Sequence, residues 1–141
     1  MKKQLLILLA LCSITTCAVF GQTRPWIKTS DGQINCKKIS VYKDEVKVIL
    51  ENGEKKNLTI NDVDSYFRDG SLFIKVPLFN KGGKDKTVFM ESLANKDDQQ
   101  LYRYLDSPGY SRYFVYKGEN LVIEVTDANK EAFSKYFNIS I

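Results

Sequence analysis

Mainly β structure with one helix at the C-terminal end, α+β by that helix alone, is the fold class this sequence predicts. Three observations predict it. From Asp31 to Val125 apolar residues recur with a period of two, the spacing at which side chains return to one face of a strand. Turn-forming pairs punctuate the pattern at short intervals: Asp31-Gly32, Asn52-Gly53, Asp69-Gly70, Pro108-Gly109 and Gly118-Glu119. After Val125 the apolar spacing becomes helical. The strands are expected to be antiparallel. Residues 31–76 would form a small bent sheet or partial barrel, and residues 87–137 a second small sheet packed by the helix. Both would share one core within a single domain, residues 22–141.

Residues 22–30 read as a lead-in, since Pro25 disfavours helix there. In the first strand, Ile34 and Cys36 lie on one phase and Ile39 and Val41 on the other. A straight strand cannot bury both pairs on one side. Either the strand is buried on both faces or a bulge near Lys37-Lys38 resets the phase and bends it.

The next connections can be tested by pairing. A two-residue turn at Lys43-Asp44 sets Val41 opposite Val46 and Ile39 opposite Val48, aligning apolar residues on both strands. At Asn52-Gly53 a two-residue loop would set Val48 against Asn57 and Leu50 against Lys55. A three-residue loop, Glu51-Asn52-Gly53, sets Val46 against Leu58 and gives Gly53 the left-handed position. The three-residue loop is therefore expected. Thr59 to Asp62 makes a short turn, and Val63–Phe67 the next strand.

After the Arg68-Asp69-Gly70 turn, Leu72–Val76 is a strand that Pro77 can close. Asn80 to Lys86, with two glycines and three lysines, reads as a loop. Thr87–Leu93 resumes as strand, and the polar run Ala94–Gln100 breaks it. Leu101–Leu105 alternates two tyrosines against leucines and an arginine. Tyr113–Tyr116 and Leu121–Val125 form a hairpin about Gly118-Glu119, with Tyr116 opposite Leu121 and Phe114 opposite Ile123. Gly118 would supply the positive φ of a type II′ turn. Thr126 or Asp127 can cap the final helix of about 11 residues, whose stripe is Ala128, Ala132, Phe133, Tyr136 and Phe137.

The N-terminal segment has the three parts of a secretory signal: basic Met1-Lys2-Lys3, an apolar run from Leu5 to Phe20, and cleavage after Gly21. The run, 16 residues, is shorter than the roughly 20 a spanning helix needs. Ile14-Thr15-Thr16-Cys17 also resembles a lipobox, in which Cys17 would carry lipid and tether the chain to a membrane. The chain is thus expected to be exported, periplasmic or extracellular in a bacterium, and on a membrane only if lipidated at Cys17.

Export changes the charge and the thiol chemistry. The whole chain is +4, but Lys2 and Lys3 leave with the signal, so 19 basic face 17 acidic residues. The remaining lysines are scattered and read as a solvated surface, not as a nucleic-acid face. Cys36 is the single cysteine after Gly21, so no intrachain disulfide can form, and its alternation with Ile34 suits burial.

Histidine is absent from the chain, which removes the commonest general base and every Ser-His or Cys-His arrangement. No phosphate-cradling glycine motif, thiolate metal set or Cys-x-x-Cys pair occurs, so no cofactor and no metal is expected. Carboxylate catalysis needs only two acids placed in space. The candidates are Asp62 with Asp64 and Asp97 with Asp98, both sets in polar turns where capping is the simpler role.

The positive feature is aromatic. Tyr102, Tyr104, Tyr110, Tyr113 and Tyr116 fall within fifteen residues. Exposed tyrosines on a rigid sheet, Tyr102, Tyr104, Tyr110 and Tyr113 in particular, would make a platform for a sugar ring or a protein partner. Aromatic residues also simply fill β-cores.

Two stretches resemble a family of small secreted proteins of unknown function in Bacteroidetes-type bacteria. The first is Asp31–Lys37 followed by Lys56–Val63, similar to an opening "gly-x-ile-x-x-lys" strand and a later turn, with Asn61 where that family commonly has a proline-bearing turn. The second is Val88–Leu93, then Leu101-Tyr102-Arg103-Tyr104, Tyr113-Phe114-Val115 and the closing helix. The resemblance implies a β-rich fold and an envelope location and brings no catalytic residues. The expected function is a non-enzymatic envelope protein, a binding or accessory module for an envelope protein or glycan. The alternatives are a carboxylate-based enzyme acting on an envelope polymer or glycan, and an adhesin or assembly accessory subunit.

Overall fold

The computed structural model describes residues 24–79 and 86–141. The expected secretory leader, Cys17 and all of the 80–86 loop except Lys86 lie outside the described residues.

Ten strands follow in order: β1 (Trp26–Thr29), β2 (Gly32–Tyr42), β3 (Glu45–Leu50), β4 (Lys55–Thr59), β5 (Ser65–Arg68), β6 (Ser71–Leu78), β7 (Lys86–Lys96), β8 (Gln99–Ser107), β9 (Tyr110–Lys117) and β10 (Asn120–Val125). A helix, α1 (Lys130–Phe137), ends the chain. The strands form one antiparallel sheet in the order β4-β3-β2-β1-β5-β6-β7-β8-β9-β10. The mainly β character and the terminal helix are as expected. The two sheets expected from the sequence are continuous, because β6 and β7 pair from Phe73↔Glu91 to Leu78↔Lys86.

Local pairing follows the apolar pattern closely. Val41 faces Val46, Ile39 faces Val48, and the register shifts between Cys36 and Lys38, where the bulge was expected. Val46 faces Leu58 across the three-residue loop, and Gly53 has φ +87°. The bulge brings Cys36 and Ile39 to one side, and both are buried.

Four expectations need correction. The lead-in contains a strand: β1 inserts between β2 and β5, with Ile27 buried and Trp26 stacked on Phe67. Pro77 does not end β6, which runs on to Leu78; a proline here costs one N–H, and its carbonyl accepts from Tyr116 Oη. Ala94 to Lys96 stay in β7, and the break shrinks to the tight Asp97-Asp98 turn, with Asp97 at φ 55°. In the last hairpin Tyr116 does face Leu121, but a shift between Leu121 and Ile123 sets Ile123 against Val115, and Phe114 faces Glu124 instead. Gly118 has φ +59° as a II′ turn requires.

The helix is also shorter than expected, at eight residues, because Thr126 to Asn129 close a turn before it. Asn129 and Lys130 N–H both donate to the Thr126 carbonyl, and Asn129 rather than Thr126 or Asp127 is the N-cap residue. Asn138 ends α1 in the left-handed conformation, donating its N–H to Ser134 O.

Connection length forces the sheet to curl. From β4 to β5 the chain must pass four strand spacings, about 19 Å if the sheet were flat. The link is only residues 60–64, and Ile60–Asp62 is a 3-10 turn rising about 2 Å per residue. Such a link spans roughly 16 Å at most, so the outer strands bend toward each other. The curl is visible in contacts across its open end: Lys75 Nζ on β6 donates to the Ile60 and Asn61 carbonyls at 3.4 Å and pairs with Asp64. The far half curls too, since Tyr116 on β9 reaches Pro77 on β6, three strands away. No ladder joins the two ends of the sheet, so it is not a closed barrel.

Buried side chains gather in three clusters. The first joins Ile27, Cys36, Ile39, Val46, Val48, Val63 and Tyr66 inside the N-terminal curl. The third, on the same face by alternation, puts Leu101 and Val115 under Phe137 of α1. The second occupies the opposite face: Val76, Leu78, Met90, Tyr102, Phe114 and Tyr116. Strands β6 and β7 therefore serve clusters on both sides.

Candidate functional site

Between the N-terminal curl and the strands beyond it lies a groove of about 500 Å³. Its floor follows from the β5–β6 hairpin. Asp69 and Gly70 both have positive φ, the requirement of a type I′ turn, and this turn sets Tyr66 opposite Phe73 and Arg68 opposite Ser71. The Tyr66 and Phe73 rings stack with centroids 4.7 Å apart, and Phe89 of β7 meets Tyr66 edge-on at 5.0 Å. Such aromatic pairs fix one another's rotamers and make a rigid base.

Arg68 lies on that base. Its guanidinium carbon is 5.7 Å from both the Tyr66 and Phe73 centroids. Nη1 donates to Ile39 O at 3.4 Å, a long bond. Nε is buried and has no hydrogen-bond acceptor. The Asp69 carboxylate is 3.3 Å from Nε but out of line for a hydrogen bond and 88% exposed, so this ion pair contributes little.

The next cross-strand set is tied up. Glu91 on β7 accepts from Ser71 Oγ at 2.6 Å and from Arg103 of β8, which faces it. Its carboxylate holds Arg103 further toward the charged form. Lys43, Asp44, Lys86, Tyr104 and Leu105 line the mouth, where Lys86 Nζ sits 5.9 Å from the Tyr104 centroid. The lining thus carries four cations, Lys43, Arg68, Lys86 and Arg103, against two carboxylates, Asp44 and Glu91.

The tyrosines singled out from the sequence do not share one surface. Tyr102 is buried against Tyr116 in the second cluster. Tyr104, two residues along the same face, is half-buried at the groove mouth. Tyr113 faces Arg103 on the opposite side of the sheet and packs near α1. Tyr110 is exposed at the β8–β9 turn.

The candidate acids serve turns. Asp62 accepts from Thr59 N–H at 2.7 Å and Thr59 Oγ1 at 2.8 Å, and these bonds hold its pKa below the usual value. Asp64 pairs with Lys75, Asp97 accepts from Tyr136 Oη, and Asp98 pairs with Lys117, which lowers the Asp98 pKa. A general acid needs the opposite shift. Burial pushes the Cys36 thiol up, which keeps it protonated and inert.

Among the described residues no group of three or more acids or cysteines converges as a metal site, and no helix is long and apolar enough to cross a membrane. Sequence reasoning missed Arg68, Phe73, Phe89 and Glu91 as groove residues. A pairing test across Asp69-Gly70, like those made for the earlier hairpins, would have stacked Tyr66 on Phe73 and put Arg68 beside them. The sequence matches no protein-family model, no curated protein and no solved structure.

Proposed function

We propose that this chain is an exported envelope protein that binds a partner or glycan and catalyses no reaction, with the groove as its binding surface. The observation that carries the reading is Arg68: a cation on a rigid aromatic base, lining a groove, with an unmet donor. A cavity of about 500 Å³ falls within the roughly 300–1,000 Å³ of small-ligand sites. The leader pattern of residues 1–21 and the likeness to small secreted proteins support an envelope location, soluble after cleavage at Gly21 or tethered through Cys17.

A photo-crosslinking residue at Leu105, 61% exposed on the groove rim, tests this in cells. Mass spectrometry of the envelope fraction should return one reproducible protein or glycan adduct, absent when the crosslinker sits at Lys56 on the far edge strand. The same sample gives the mature N-terminus, expected at Gln22. Equal labelling from both positions, or none, would sink the binding reading.

A second reading, an assembly accessory subunit or adhesin, draws on strand β10. This edge strand exposes Val122 by 50% and Ile123 by 38%, whereas the opposite edge, β4, opens with Lys55 and Lys56. Lysine discourages edge pairing, and apolar side chains do not.

A further inference from the structure

We infer that the groove takes an acidic sugar, its carboxylate on Arg68 and its ring against Phe89; this rests on the reading of the chain as a binding module. Arginine carries five N–H donors in a planar fork that matches a carboxylate. Here Nη1 makes one long bond, to Ile39 O, and no other hydrogen bond of the guanidinium forms among the described residues. Stacking on Tyr66 and Phe73 holds the plane of the guanidinium, so a bound anion meets a preorganised partner.

Beyond the exposed Asp69 carboxylate, 3.3 Å from Nε, the charges around Arg68 favour an anion. Glu91 is already neutralised by Ser71 and Arg103, so it does not compete for Arg68. At the mouth, Lys43 Nζ lies 5.4 Å from the Tyr42 centroid and Lys86 Nζ 5.9 Å from the Tyr104 centroid. Four cations against two carboxylates leave the lining positive while the surrounding chain is nearly balanced.

The rest of the lining selects the body of the ligand. Inorganic phosphate would leave the Phe73 and Phe89 rings unused. An acyl chain needs a continuous apolar tunnel, but Thr87, Lys43, Asp44, Glu91 and Arg103 interrupt this lining. A sugar has an apolar ring face for the aromatic rings and hydroxyls for the polar groups.

Calorimetry and amide chemical shifts on the purified protein test the inference, with trigalacturonate and 3′-sialyllactose as acidic probes. Maltotriose, lactose, inorganic phosphate and laurate are the controls. At least one acidic saccharide should bind, shifting amides of β5 to β8, and weaken as salt rises. Arg68→Gln should weaken it about tenfold or more, and Arg68→Lys, which keeps the charge but not the fork, should fall between. Lys86→Gln, at the exposed mouth, gives a milder loss and guards against a folding defect in the Arg68 variants. Equal binding of neutral and acidic saccharides overturns the acidic class and leaves the binding-module reading standing. Binding of phosphate or laurate alone, or no acidic saccharide binding at millimolar concentration, also overturns the inference. A groove adduct from the Leu105 crosslink would then still uphold the broader reading.

Discussion

Tyr116 shows how one side chain can hold a curved sheet. Its ring is buried and meets Tyr102 edge-on at 5.6 Å, and its hydroxyl reaches the Pro77 carbonyl, which lies three strands away. That bond can form only if the sheet bends, so it reports curvature directly. Tyr116→Phe keeps the packing and removes the hydroxyl, and should cost about 1 kcal/mol in urea unfolding. Burial also raises the Tyr116 pKa from 10.0 to about 12, and that of Tyr66 likewise. The folded state therefore prefers the neutral phenol. This contribution is fully present below pH 10 and is lost as pH rises toward about 12. Stability should thus fall along an alkaline limb, and that limb should be shallower in Tyr116→Phe; parallel limbs would show that Tyr116 does not contribute to it.

At the scale of elements, α1 is too short to be stable alone, because an isolated helix needs about 12 to 15 residues even when rich in alanine. Its stability comes from packing. Phe137 is buried over Leu101 and Val115, with Phe133 and Tyr136 beside it. Lys96 Nζ ties the helix end to β7 by donating to Tyr136 O at 2.9 Å. Phe137→Ala should cost about 3 kcal/mol in urea unfolding and make the α1 amides exchange first. A loss below 1 kcal/mol would mean that the helix is not part of the cooperative unit. The bulge in β2 works by a related logic: one extra residue lets Cys36 and Ile39 point to the same core, which no regular strand allows.

Over the whole molecule, the question is whether the two halves unfold together. The first and third clusters lie on one face and the second on the other, yet β6 and β7 contribute to both faces. Phe73 and Phe89 pack on the first cluster while Ile74, Val76, Val88 and Met90 build the second. Losing either half strips a face from these shared strands. Hydrogen exchange should therefore give the slowest amides of β2–β3 and β8–β9 the same opening free energy, with Trp26 fluorescence following the same urea transition. Two separated transitions would show that the β6–β7 ladder does not couple the halves.

Much of the local structure was legible in the sequence because hairpin register is a local property. Val41 against Val46, Val46 against Leu58, the bulge at Lys37 and the turn at Gly118 all follow from alternation and turn chemistry within a few residues. The groove was legible only in part. Tyr104 could be named as a candidate, but Arg68 looked like a turn residue and Tyr102 like a surface one. Which face of β8 is covered depends on how strands far apart in the chain curl over it. Alternation, turn residues and the change of period thus determined, by themselves, a chain of antiparallel hairpins ending in a helix. Only the tertiary structure decided that β1 slots between β2 and β5, that β6 and β7 merge the two halves, and that the sheet bends enough to leave a groove. Those outcomes come from burying side chains between segments that no local pattern connects, and from a five-residue link too short to cross a flat sheet.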